Sequence, residues 1–541
     1  MKNRVSAICV MIIFLFSLTA CVHKQAQLSK VSEKPRNVIM LIGDGMGPEQ
    51  IGLLLAYARQ APDSVIVDRK TSFDRIIEQG GVMGISMTNA YNVLVTDSAA
   101  SASQLASGQY AGSEMIGLDK DGNPVETVVE KAIKAGKSTG LITDTRVTHA
   151  TPAGFAAHQP HRDMENQIAE DMLNAGPDVM FGGGLRYWIP MGANDKTSAV
   201  RKELEEMTQG SVKIKSKRKD ERNLLTEAQQ KGYALAFNKS QMERADGKVL
   251  GLFAYSALPD GIEVTRTKED SNRTIPTLKE MSSKALDILS KNEKGFFLMI
   301  EAGLIDWAAH YNDTGLMLHE MMSLNDTLNY VLDWAKDRDD TLIVVTADHT
   351  TGGFGLSYTG KNIPGPKSLS GKSFKDRKFA PGYNFGDPGV LDRIYNQELS
   401  YGSIFYNKFD ALPKEEQTPA SLAKLVNQYT RFPITDEQAA RVLATEDNPI
   451  YVEGHGYLGN KTVPKLTVKD EFFVYQTDDN RQNLLALEVA GAQSVVWNTG
   501  THTATPVIIF TKGSIKAMSP FGKILHHTQV GQNLIDAVLN E

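Results

Sequence analysis

The chain has 541 residues, 41% of them hydrophobic and 23% charged, and a formal net charge of −6 at pH 7. That length exceeds what one core usually supports unless a single α/β domain carries insertions, and the composition excludes a disordered, collagenous or coiled-coil chain. Negative net charge argues against a nucleic-acid surface, and the only two cysteines, Cys9 and Cys21, exclude a disulfide framework or a cysteine zinc site beyond them.

At the N-terminus, Lys2 and Arg4 precede a largely apolar run from Val5 to Leu18, the n-region and h-region of a signal peptide. Leu18-Thr19-Ala20-Cys21 then resembles a bacterial lipobox. This predicts removal of residues 1–20 and lipidation of Cys21, leaving the chain anchored in the bacterial cell envelope and facing the periplasm. An ordinary signal cut nearby and an uncleaved anchor are the alternatives. Residues 21–36 are polar, lack periodicity and read as a tether, and no later stretch reaches the length of a membrane span.

Asn37–Ile42 is a continuous apolar run that ends in Gly43-Asp44-Gly45. Thr139–Ile142, Phe296–Ile300, Leu342–Thr346 and Val507–Phe510 have the same character, which suits strands buried on both faces of a mostly parallel sheet. Helical patterns fall between them at Ser98–Ala106, Val125–Lys134, Glu165–Asn174, Leu278–Leu289 and Leu316–Ala335. The alternation predicts an α/β fold over residues 37–541, with helices on both faces of a central, mostly parallel sheet. Two regions break the rhythm. Residues 185–275 read as charged and irregular, their Lys213–Lys219 run as a solvated surface. Residues 355–470, rich in Gly, Pro, Tyr and Phe, read as an inserted subdomain over the site or at an oligomer contact.

Carboxylates recur at the predicted strand ends: Asp44, Asp144, Glu301 with Asp306, and Asp348 with His349. In open α/β sheets chemistry gathers at those ends. Acids at that density repel unless cations neutralise them, so the pattern predicts metal. Asp306 and His310 lie four residues apart, on one face of a helix. Ser98, followed by small helix formers, sits where a helix begins, either as a simple cap or as a nucleophile beside an anion-binding helix end.

These residues resemble those of the alkaline phosphatases. The matching motifs are Asp44-Gly-Met-Gly, Asp97-Ser98-Ala-Ala-Ser, His149-Ala-Thr151-Pro-Ala, His158 followed by Arg162, Glu301 with Asp306 and His310, Asp348-His349, and Gly500-Thr-His502. They occur in the family's order across residues 37–510. The resemblance implies one zinc on Asp306, His310 and His502, and a second on Asp44, Asp348 and His349 beside Ser98. It further implies a magnesium on Asp44, Thr151 and Glu301, with Arg162 clamping phosphate. The implied activity is hydrolysis of phosphate monoesters through a phosphoserine at Ser98, with inorganic phosphate as product and a homodimer as a common family assembly.

Two positions depart from part of the family. His149 stands where some members have Asp near the magnesium, and Trp307 where some have Lys. Both resemble the marine-bacterial and animal-type variants. They leave the identity of the third metal open, and Trp307 reads either as a wall of the substrate pocket or as packing. Rival readings are a related metal-dependent phosphodiesterase and a non-catalytic metal- or phosphate-binding lipoprotein. A sulfatase fits poorly, because Ala-Ala-Ser follows Ser98 in place of the x-P-x-R context.

Overall fold

Ten strands form the central sheet of the computed structural model, which describes residues 34–465 and 480–540. The expected signal peptide, Cys21 and most of the tether lie outside the described residues. In chain order the strands are β1 (Asn37–Gly43), β2 (Val82–Met87), β3 (Ser138–Arg146), β4 (Val179–Gly183), β5 (Ala234–Ala236), β6 (Val249–Leu252), β7 (Phe296–Ala302), β8 (Thr341–Thr346), β9 (Val507–Lys512) and β10 (Ile524–His526). Across the sheet they run β10-β2-β9-β8-β1-β7-β3-β4-β6-β5. Strand β9 is antiparallel to both neighbours, and every other pairing is parallel.

The apolar runs are continuous because both faces of the sheet are covered. On β1, Ile39 and Leu41 enter one core, while Val38, Met40 and Ile42 enter the other. The helices that frame the site are α1 (Pro48–Gln60), α2 (Ser98–Ser107), α3 (Glu165–Ala175), α4 (Leu278–Leu289), α5 (Leu304–His310), α6 (Thr314–Trp334) and α7 (His527–Leu539). Side chains of α1, α4 and α6 fill the first core, and those of α2, α3 and α7 the second. A side chain such as Ile42, fully buried, contributes about 1.5–3 kcal/mol over an exposed one.

Helix α2 is made of small residues because it is enclosed on all sides: every residue from Ser98 to Ser107 is buried. Helix α7 approaches so closely that a Cβ on Gly531 would lie 2.4 Å from the Gln104 carbonyl oxygen. Asp97 starts α2 by accepting the Ala99 amide at 2.9 Å, and Gly108, at φ 72°, ends it. Ser98 is thereby held at the first turn of a rigid, sheet-facing helix.

The 185–275 stretch is more regular than its composition suggests. It contributes β5 and β6 to one edge of the sheet, together with helices Ala199–Thr208, Leu224–Gln230, Lys239–Arg244 and Gly261–Thr267. Its basic run is not wholly a solvated surface either. The Arg218 side chain is 0% exposed and bonds Glu170 of α3 at 2.7 Å and Asp220 at 2.6 Å. The 355–465 stretch carries short hairpins, helices Gly389–Tyr395, Pro419–Tyr429 and Asp436–Leu443, and a π-helical turn over Ser403–Phe409. No helix among the described residues is long and apolar enough to cross a membrane.

Candidate active site

Strand ends and the turns that follow them deliver the functional side chains to one place. Asp44 follows β1 directly, and Gly45 then turns at φ 70°. A Cβ at Gly45 would lie 2.8 Å from the Asp306 Cα, so the glycine lets α5 close over the turn. Glu301 lies in β7, and Asp306 and His310 follow on α5. Asp348 and His349 come just after β8. A two-stranded pairing of His502–Thr503 with Thr350–Thr351 brings in His502.

Within this cluster His310 Nε2 is 3.2 Å from Asp306 Oδ2 and 3.2 Å from His502 Nε2. His349 Nε2 is 3.4 Å from Asp44 Oδ1, 3.3 Å from Asp348 Oδ2 and 3.2 Å from Ser98 Oγ. The His349 and His502 rings stack at 3.6 Å, so the two expected zinc sets adjoin. His310 Nδ1 meets the Gly500 carbonyl at 2.6 Å and His502 Nδ1 the Thr96 carbonyl at 2.9 Å. Those carbonyls fix the protonated nitrogen at Nδ1 and turn each Nε2 toward Asp306, the orientation in which its lone pair can ligate a cation.

Three sets of side chains are close enough to share an ion: Asp306 with His349 and His502, Asp44 with His149 and Glu301, and Asp44 with Asp348 and His349. Both Asp44 oxygens, Glu301 Oε1, Asp348 Oδ2, Thr151 Oγ1 and His149 Nδ1 are buried without a hydrogen-bond partner. Buried acceptors are rarely left so, and cations satisfy all of them at once. The electrostatics point the same way. Burial, then Asp348, Asp306 and Glu301, raises the Asp44 carboxyl well above the usual range. Burial and Asp306 push Asp348 up to about 7. Burial also pushes His349 and His149 down, and His502 to about 4. Burial opposes ionisation of Asp306, but His310, His502 and His349 together hold its carboxyl well below the ordinary value. Neutral imidazoles beside crowded carboxylates form a nitrogen and oxygen donor set that suits zinc, and the oxygens of Asp44, Thr151 and Glu301 suit magnesium.

A cavity of about 320 Å³ opens onto Ser98, Asp306 and His310, with Arg162, His149 and Trp307 among its walls. Arg162 reaches it from a loop tied to the start of α2. Asp97 Oδ1 accepts the Glu114 amide, the Glu114 carbonyl accepts the Arg162 amide, and the Arg162 guanidinium lies 3.2 Å from Asp97 Oδ2. Trp307 faces the cavity and meets the His149 ring edge-on at 6.2 Å.

Every residue expected in the site therefore converges, Cys21 excepted, which falls outside the described residues. Other strand-end and motif residues do not. Asp144 turns away and accepts the Gly303 and Leu304 amides, which starts α5. Burial, then Glu301, pushes its carboxyl up to about 8. His158 bonds the Gly117 carbonyl and Glu130, and His319 the Tyr395 carbonyl. His527, which the sequence does not mark as part of the site, lies fully buried beneath the cluster and bonds the Asp348 carbonyl at 2.8 Å. Sequence reasoning missed Arg146, Arg186, Tyr311 and Tyr457 on the cavity wall, and Thr351, whose hydroxyl donates to Asp306 Oδ1 at 2.6 Å. Its place as the last residue of β3 offered a signal for Arg146; the others carried none.

The chain matches the family model for alkaline phosphatase over residues 35–539. It is 35% identical over 384 residues to alkaline phosphatase 4 of Bacillus subtilis, covering 68% of this chain and 73% of that one. It is 34% identical over 346 residues to the repressible alkaline phosphatase of Saccharomyces cerevisiae, covering 60% of this chain and 56% of that one. Among solved structures, the Thermus thermophilus alkaline phosphatase superposes with a TM-score of 0.72 at 24% identity, over 94% of this chain and 92% of that chain. The cold-active alkaline phosphatase of a psychrophilic Shewanella gives 0.64 at 25% identity, over 93% and 99%. Because the family match runs from the first strand through both insertions to the end of α7, and is not confined to isolated motifs, the chain belongs to the alkaline phosphatase family.

Proposed function

We propose that this phosphatase hydrolyses phosphate monoesters through a phosphoserine at Ser98. One zinc would be held by Asp306, His310 and His502, a second by Asp44, Asp348 and His349, and a magnesium by Asp44, Thr151 and Glu301. The observation that carries this reading is the set of buried, unpartnered acceptors beside a helix-start serine. Bound there, such cations lower the pKa of hydroxyl and water and neutralise charge on the entering and leaving oxygens.

The protein's own groups supply the rest. Helix α2 fixes Ser98 Oγ toward the phosphorus and offers first-turn amides to a phosphoryl oxygen. Arg162, braced by Asp97, presents a planar fork to two further oxygens. In the first half-reaction a P–O bond forms to Ser98 Oγ and the bond to the alcohol oxygen breaks, that oxygen leaving with the electron pair. In the second, water replaces Ser98 on phosphorus and releases inorganic phosphate. Thr143 and Thr145 hydroxyls donate to Glu301 Oε2, which leaves Oε1 directed into the cluster. His149, near both Glu301 and Trp307, supports a loosely held third ion, since an imidazole adds no negative charge there.

Turnover of a chromogenic phosphomonoester is expected to stop after chelation and to return when zinc and magnesium are restored together. Equal turnover of a phosphodiester would favour the diesterase reading, and turnover unaffected by chelation would overturn the metal-dependent one. We further propose that Cys21 carries a lipid anchor at the periplasmic face, on the strength of Leu18-Thr19-Ala20-Cys21 after an apolar run. Cys21→Ser should move activity from the membrane fraction to the soluble one or block processing; unchanged membrane association would end that proposal.

A further inference from the structure

Three arginines line the cavity above Ser98: Arg146, Arg162 and Arg186. Two are matched by carboxylates. Arg146 makes a bidentate pair with Glu165 at 2.8 and 3.1 Å, and Arg162 meets Asp97. Arg186 is different. Among the described residues it has no carboxylate within ion-pair reach, and its buried Nε has no hydrogen-bond partner. Its guanidinium carbon lies over two aromatic rings, 5.0 Å from the Tyr187 centroid and 5.3 Å from that of Tyr255, a ring that Lys213 Nζ also approaches at 5.2 Å. Stacking of that kind fixes a guanidinium while leaving its edge donors free. Asp163 also lines the cavity, but its side chain is 67% exposed and lies beside His161 at 3.8 Å.

The reading of Ser98 and Arg162 as the phosphoryl site leaves Arg186 without a role in it. We propose that Arg186 is the cationic centre of a second anion subsite in the same cavity, which selects substrates whose terminal phosphoryl group sits next to a further negative group, nucleoside diphosphates, in which that link is an anhydride, being the model class. This rests on the phosphomonoesterase reading above. On ADP the terminal phosphorus would pass to Ser98 as the bond to the bridging oxygen breaks. AMP leaves with that electron pair and takes up a proton, and water then releases inorganic phosphate. Arg186 contacts the phosphate retained on AMP and takes no part in bond making. The inference concerns selection between substrates, which the clamp Arg162 alone does not provide.

The test is the ratio of kcat/KM for ADP to that for AMP in the metal-loaded wild type, in Arg186→Gln and in Arg186→Lys. Loss of one charge-assisted, planar contact is worth about 10–100-fold, so the ratio should fall by about that factor in the glutamine variant, with the lysine variant between. A ratio that stays at the wild-type value in both variants, through no change or through equal losses on the two nucleotides, overturns the proposal. If the glutamine variant does not fold, the lysine variant decides by the same criterion. Wild type that turns over neither nucleotide would overturn the phosphatase reading instead. Calorimetric affinities of ADP and AMP for wild type and Arg186→Gln would then carry the same comparison, and an unchanged affinity ratio would reject the subsite.

Discussion

Replacing Ser98 by alanine is expected to abolish the acid-trapped phosphoserine and to lower turnover on the order of 10⁴–10⁶-fold, the range seen when a covalent nucleophile is removed. The fold should not suffer. Asp97 still caps α2, alanine is a better helix former than serine, and the position is already 2% exposed among small neighbours. Zinc content should therefore match the parent, which separates loss of the nucleophile from loss of the site. The measurement is peptide mass spectrometry after quenching with acid in the presence of substrate. Phosphate on a peptide that lacks residue 98 would show that another group attacks phosphorus.

Asp44→Asn should have the second large effect, because Asp44 belongs to two of the three candidate ion sets. Each ion held at a thousandfold excess over its Kd stabilises the fold by about 4 kcal/mol. The asparagine variant is expected to lose that gain for two ions and to lose turnover with it, as read by metal analysis and denaturant melts. After chelation the order should reverse. The raised Asp44 and Asp348 carboxyls take up protons on folding that the unfolded chain, with its ordinary carboxylates, does not. Their contribution to the stability of the stripped protein therefore falls as pH rises from about 4 through about 7, against the opposite slope that the depressed imidazoles of His349, His149 and His502, common to both proteins, give below about 6.5. Removing one acid relieves this, so stripped Asp44→Asn should outlast stripped wild type at about pH 8, and the gap should close toward about pH 4. A stripped variant weaker than wild type at the higher pH would mean that carboxylate repulsion does not limit the metal-free fold.

Much of this centre was legible in the sequence because its ligands follow long, doubly buried strands. Asn37–Ile42 and Leu342–Thr346 stand out as apolar runs, and Asp44 and Asp348 each come two residues after them. Spacing alone marked a metal cluster; the division of its ligands among ions came from the family resemblance. Strands β5 and β6 were missed because three or four residues inside a charged stretch carry too little pattern to separate from loop. Arg186 and Tyr457 were missed for another reason. They reach the cavity from separate insertions, and only the closed tertiary structure sets their direction. Asp144 shows the reverse case, a strand-end acid that resembles a ligand but is spent on the amides at the start of α5.

The order of strands across the sheet also has a consequence for synthesis. Of the ten strands of the sheet β1 is made first, yet its hydrogen-bonding neighbours are β7 and β8: Val38 pairs with Phe297 and Asn37 with Thr341. A growing chain that has not passed residue 346 exposes two apolar faces and an unpaired strand edge, and His502 is added later still. Contacts so distant in sequence make folding slow and post-translational, and leave the unfinished chain prone to aggregate. Fragments that stop before β8 should therefore be insoluble or degraded, and the window of vulnerability lasts for most of the time the ribosome takes to complete the chain.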